Sequence, residues 1–218
     1  MRRMLHRVAL VISTLLALGA SSSGFAFAQS APPEPPVLPD VTPVSLDPST
    51  TAFLVLDINS AVCPPRPACL ASVPAISRLL AKARTAGVFV AYSSTAGADI
   101  LPDVAPRPDD PVVTSRADKF FNTNLDQILK DHGIQTAMVV GSAANGAVLY
   151  TTFGLAERGY TSAVAVDGIS SGPDFDTYLA QYQVLNMPGF GNATNDPLKP
   201  QSATLTRGDL VTFGVVSK

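Results

Sequence analysis

From Thr50 onward the chain alternates short apolar runs with stretches whose apolar residues recur at helical spacing. Thr51–Ile58 is an apolar run with Asp57 at its end and a polar, proline-rich loop after it, the pattern of a buried parallel strand. Pro74-Ala75-Ile76 opens a helical pattern carrying Ile76, Leu79, Leu80 and Ala83, and Gly87 stops it. Val88–Ser93 reads as the next strand. A long excursion follows, marked by Pro102, Pro106, Pro108 and Pro111, of the kind that serves as a lid, and Val112–Ser115 makes a short third strand. Thr123 is placed as N-cap of a helix with Leu125, Ile128 and Leu129, closed by Gly133. Thr136–Gly141 is an apolar strand, Ala147–Arg158 a helix stopped by Gly159, and Thr161–Val166 a strand ending at Asp167. Phe175–Tyr182 is predicted helical, and Asp209–Phe213 a last strand.

Strand and helix alternate at lengths that suit right-handed crossovers, so the predicted fold is α/β, a doubly wound parallel sheet with helices on both faces. Such sheets carry their functional crevice outside the carboxyl ends of the strands. Asp57, Ser115, Gly141-Ser142-Ala143-Ala144 and Asp167 are thereby expected along one edge.

The ends and the composition place this domain. Residues 1–28 hold Arg2, Arg3 and Arg7, then the apolar stretch Val8–Ile12 and Leu15–Leu18, then Ala26-Phe27-Ala28, which reads as a secretory signal peptide with an A-x-A cleavage site. Its apolar core is shorter than the roughly 20 residues of a membrane span. Processing would leave Gln29–Lys218, with no membrane span, in the periplasm or outside the cell. Residues 29–49 carry Pro32, Pro33, Pro35, Pro36, Pro39, Pro43 and Pro48 and read as an extended lead-in without regular pairing, so the folded domain is assigned to 50–218. Cys63 and Cys69, the only cysteines, are expected to form a disulfide in an oxidising compartment. With 46% hydrophobic residues and a mean hydropathy of +0.25, a packed core is expected. Fifteen basic residues face seventeen acidic ones, and without the three leading arginines the balance is twelve to seventeen, a formal charge of −5. No cluster of Lys and Arg offers a phosphate footprint, which disfavours nucleic acid as a partner.

Candidate chemistry is sparse. Asp57 follows an apolar strand, where partial desolvation suits either a general acid/base or a structural cap. Gly141-Ser142-Ala143-Ala144-Asn145-Gly146-Ala147 joins strand to helix through small residues, which admits a ligand to backbone N–H groups or simply packs helix on sheet. His132 lies at a helix C-terminus, where a cation favours the dipole, so its role is read as structural. It is the only histidine beyond the leader, which leaves little material for a histidine-based metal site or a Ser-His-Asp triad. Lys119 is a candidate cation for the crevice.

Taken in order, Val55-Leu56-Asp57-Ile58-Asn59, Phe120-Phe121-Asn122-Thr123-Asn124-Leu125, Gly133-Ile134, Val139-Val140-Gly141 and Gly159-Tyr160 through Val166-Asp167 resemble the isochorismatase-like hydrolases over about residues 50–170. The resemblance implies a three-layer α/β fold, and an oligomer is expected on the same ground. In the cysteine hydrolases of that family an aspartate ends the first strand, a lysine follows the third, and a cysteine opens the helix after the fourth. Asp57 matches the aspartate, but Ala147 stands at the cysteine position, and the simplest alignment puts Thr114 at the lysine position with Lys119 five residues later. Asn59 occupies a position that belongs to the metal site of nicotinamidases, and no histidine accompanies it, so neither metal nor cofactor is expected. The resemblance also implies a cis peptide bond at Ser142–Ala143 and a small pocket lined by Asp57, Asn59, Ala143, Ala147, Phe120 or Phe121, and Lys119. Two functions stay open: a degenerate member that binds an unidentified small molecule with altered or lost hydrolytic chemistry, and a cysteine-independent hydrolase using Asp57 as general acid/base.

Overall fold

The computed structural model describes residues 34–214. The export signal predicted at 1–28 lies outside the described residues. Eight strands are described, β1 (Val44–Leu46), β2 (Thr51–Leu56), β3 (Phe89–Ser93), β4 (Val112–Val113), β5 (Thr136–Ser142), β6 (Thr161–Ser170), β7 (Ala203–Thr206) and β8 (Val211–Phe213). The helices are α1 (Pro67–Thr85), α2 (Leu125–Asp131), α3 (Leu149–Glu157) and α4 (Asp174–Leu185). Six strands form one parallel sheet in the order β4-β3-β2-β5-β6-β7. The fold is the expected α/β architecture.

Alternation along the strands builds the three layers. In β2, Leu54 and Leu56 join a core that includes Leu125 and Leu129 of α2, Leu155 of α3 and Val184 of α4. Phe53 and Val55 point the other way, into a core with Val73, Ile76, Leu79 and Leu80 of α1. Every residue of β2 is buried, as a central strand covered on both faces requires.

The helix after β2 begins seven residues before the predicted start, at Pro67, so Pro74 lies inside it and not at its opening turn. Pro67 takes the first-turn place where a missing N–H costs nothing. The disulfide between Cys63 and Cys69, with an S–S length of 2.03 Å and Cα atoms 5.0 Å apart, ties that first turn to the preceding loop. In α2 the N-cap residue is Asn124, one later than predicted, although the Thr123 hydroxyl still accepts the Leu125 N–H at 3.3 Å. Gly133 ends that helix at φ +64°, and Ile134 N–H returns to Leu129 O at 3.0 Å.

Several expectations are corrected. The proline-rich lead-in does pair: β1 runs parallel to β8, with Val44 opposite Val211 and Leu46 opposite Phe213, in a second, two-stranded sheet. Prolines 43 and 48 flank the paired residues, so no rung needs a proline N–H. β7 was not anticipated, being short and rich in threonine. The last predicted strand begins at Val211, after a single 3₁₀ turn over Gly208–Leu210. β6 continues to Ser170, which moves Asp167 off the rim; between Val139–Gly141 of β5 and Val164–Ile169 of β6 the register shifts, and the Asp167 carboxylate accepts the Gly208 N–H at 3.0 Å. The excursion after β3 is strapped down and is no free lid. Arg84 of α1 reaches the Asp110 carboxylate at 2.6 Å, Ala105 O at 3.2 Å and the Tyr92 hydroxyl at 2.9 Å, while Ser77 donates to Asp103 O at 2.9 Å.

Candidate functional site

The ends of β2, β3 and β5 are neighbours in the sheet, and Asp57 sits where β2 stops. Its backbone turns to φ +56°, and its N–H donates to Ser93 O at 3.1 Å. Oδ1 accepts the Ser93 hydroxyl at 2.9 Å and the Thr95 N–H at 3.0 Å; Oδ2 accepts the Thr95 hydroxyl at 2.6 Å and Lys119 Nζ at 2.6 Å. Four donors occupy the four lone-pair directions of one carboxylate. Lys119 in turn donates to the Ser115 carbonyl at 3.3 Å and to the Arg116 carbonyl. Its backbone N–H donates to Thr151 Oγ1 on α3 at 3.2 Å.

The lysine facing Asp57 is therefore Lys119, and the exposed Thr114 takes no part. The one-register alignment fails because β4 is only two residues long and a tight turn follows it. The long lysine side chain comes back from that turn to the strand ends. Ser93 and Thr95 were missed in the sequence. Their signal is the polar run Ser93-Ser94-Thr95 directly after an apolar strand adjacent to β2.

The other predicted residues divide. Phe120 is buried, with the Arg158 guanidinium 4.3 Å from its ring centre, whereas Phe121 is 61% exposed. Asn59 is buried and spends its amide locally, accepting from the N–H groups of Ala61 and Val62 and donating to Ser94 Oγ at 3.2 Å. The peptide bond between Ser142 and Ala143 is cis. Ala144–Val148 then forms a π turn leading into α3. Ala147 is 4% exposed and belongs to the same apolar core as Leu56 and Phe120. Asn145, not singled out before, is tied to Ser171: its N–H donates to Ser171 Oγ at 3.2 Å, and that hydroxyl donates to its side-chain carbonyl at 3.0 Å. His132 places Nδ1 2.8 Å from Ile128 O and stacks on Phe89, in keeping with a structural role.

Asp57 is 4% exposed and Lys119 is fully buried. The surface cavities that border Asp167, of about 360 and 410 Å³, are lined by other residues. Among the described residues no three His, Cys, Asp or Glu side chains gather as a metal site would require.

The family description of the isochorismatase domain matches residues 51–193. The chain belongs to the isochorismatase family. Comparison with curated proteins returns no match. Solved structures share the fold at low identity. A cysteine hydrolase from Pseudomonas syringae pv. phaseolicola is 19% identical with a TM-score of 0.65, covering 78% of this chain and 94% of that one. The N-carbamoylsarcosine amidase of Thermoplasma acidophilum is 21% identical with a TM-score of 0.61, covering 73% and 97%. The nicotinamidase of Staphylococcus aureus is 18% identical with a TM-score of 0.61, covering 73% and 99%. This isochorismatase-family chain thus has the hydrolase fold and a disulfide compatible with an exported protein.

Proposed function

We propose that this isochorismatase-family protein is a degenerate member in which cysteine-dependent hydrolysis is lost, with Asp57 and Lys119 kept as a closed ion pair. The observation that carries the reading is Ala147: at the turn into α3 the chain presents a methyl group packed into the apolar core, and a methyl cannot attack a carbonyl. The saturated carboxylate of Asp57 supports it, because a general base needs a lone pair free for the substrate's proton. The second reading, a cysteine-independent hydrolase with Asp57 as general acid/base, is favoured by the direct Lys119 contact, which supplies a cation beside the acid.

The test is a turnover assay of the exported chain on nicotinamide, N-carbamoylsarcosine and isochorismate, with intact-mass measurement for covalent adducts. The expected outcome is neither turnover nor adduct. Turnover abolished by Asp57→Asn would select the second reading, and an acyl adduct on any residue would overturn both. Localisation outside the cytoplasm, a homo-oligomer and the absence of nucleic acid as a partner belong to the same proposal. Fractionation of expressing cells and light scattering of the purified chain test the first two, and a nucleic-acid shift assay the third.

A further inference from the structure

The core covers only one of the two apolar faces of α4. Ala180, Val184 and Leu185 are buried and belong to the core beneath the helix layer. On the far side stand Phe175, Leu179 and Tyr182, with Tyr178 at the margin, so that apolar and aromatic residues recur at i, i+3, i+4 and i+7. That is the spacing of a helix stripe that packs against something. Phe175 is 59% exposed and Leu179 36%, and the two tyrosines are half-buried beside them. The Phe175 and Tyr178 rings stack, with centroids 6.3 Å apart. From Thr177 to Leu185 the helix carries no charge. Aromatic side chains in a field free of charge are the composition of the centre of a protein interface, not of a solvated helix face.

The ends of α4 identify what covers the stripe. Asp174 and Asp176 lie in its first turn, and the helix has no basic residue. Lys199 stands at the other end: its ammonium donates to Gly191 O at 2.6 Å, and the next residue, Asn192, donates its N–H to Leu185 O at 2.7 Å. The stripe therefore starts beside negative charge and finishes beside positive charge. A second copy laid antiparallel across a two-fold axis brings the aspartates of each to the lysine of the other, whereas a parallel pair sets like charges together. The side chains are self-complementary in the same sense. With the axis between positions 178 and 179, Phe175 meets Tyr182 of the second copy, and Tyr178 meets its Leu179. A lipid surface fits less well, because a helix lying on lipid carries Lys and Arg on its polar face and α4 has neither. We propose that the outward face of α4 is the surface through which two copies of this chain dimerise, with the two helices antiparallel. The inference rests on the homo-oligomer proposed above and is independent of the reading of Asp57.

Light scattering of the purified chain at about 100 μM should give twice the chain's mass. Leu179→Asp puts a charge beside the axis in both copies and should weaken the dimer by roughly tenfold or more, with the circular dichroism of the fold kept because the side chain is exposed in the single chain. Leu179→Cys supplies the one free thiol, since Cys63 and Cys69 are bonded to each other, and mild oxidation should link two copies on a non-reducing gel. Gln183 lies about 13 Å along the helix axis from its counterpart in the antiparallel pair, so Gln183→Cys should not link. A monomer at that concentration would overturn the homo-oligomer and this surface together. A dimer that Leu179→Asp leaves intact, that Leu179→Cys fails to link, or that Gln183→Cys links equally well would keep the homo-oligomer and overturn this surface.

Discussion

A carboxylate held by two hydroxyls, one amide and one ammonium, with less than a twentieth of its surface exposed, is an all-or-none arrangement. Removing only the cation leaves a buried charge without its counter-ion, which costs about 3–5 kcal/mol, whereas removing both charges together costs far less. Urea unfolding should therefore show Lys119→Met strongly destabilised and Asp57→Asn/Lys119→Met partly restored; equal losses in both would mean that the pair is solvated. A second residue gives a pH signature. Burial raises the Tyr92 hydroxyl to about 12, against the partial opposition of Arg84. An unfolded tyrosine titrates near 10, so the folded chain holds this proton more tightly. The resulting stability is fully present below about pH 10 and drains away between about pH 10 and pH 12. Tyr92→Phe should flatten the loss over that window in a series of melts. Of these residues, Asp57 was legible from its place after an apolar run. Lys119 was seen only as a candidate, because a pairing across 62 positions depends on a turn geometry that no local pattern encodes.

Elements reveal a different balance. The central strands of the large sheet were readable because a strand covered on both faces must be largely apolar, and β2, β3 and β5 are so apart from polar residues at their ends. Helix starts were less so: a proline reads equally as an opening residue or as an interior one, and tertiary packing of Val73 and Ile76 against the sheet carries α1 through Pro74. The staple at the head of α1 closes a loop of six positions, and chain entropy gives such a link about 2 kcal/mol, lessened by the prolines inside it. Cys63→Ser/Cys69→Ser should lower stability by no more than that while preserving the circular dichroism of the fold. The junction of β2 and β5 is far less forgiving. At Gly141 an added Cβ would lie 2.3 Å from the Leu56 carbonyl oxygen, at φ +153°, so two central strands would have to part. Gly141→Ala should cost about 1–3 kcal/mol or more, read from the same urea curves, and a neutral outcome would show the strand ends to be mobile.

Across the whole molecule, the segment that reads as a tether in the sequence is stitched to the far end of the domain. Asn195, at φ +56°, donates through its amide to Asp40 O at 2.9 Å and Leu205 O at 2.8 Å and accepts the Leu205 N–H at 2.7 Å. Thr42 N–H adds a bond to Leu205 O at 3.0 Å. Proline density masked this pairing, since the partners lie about 160 residues away and only Val44 and Leu46 hint at a buried side. A chain lacking residues 29–49 should melt at a lower temperature than the chain that keeps them; an unchanged melting point would return the segment to the status of a linker. The β1–β8 pair also has a mechanical meaning. Both strands point the same way, so tension applied ahead of Val44 and behind Phe213 would drag the two strands past each other lengthwise. Rungs loaded in that direction share the force and fail together, unlike a zipper peeled from one end. An anchored chain pulled from its leading segment would load the bonds of Asp40 and Thr42 to Asn195 and Leu205 first and this clamp directly after them.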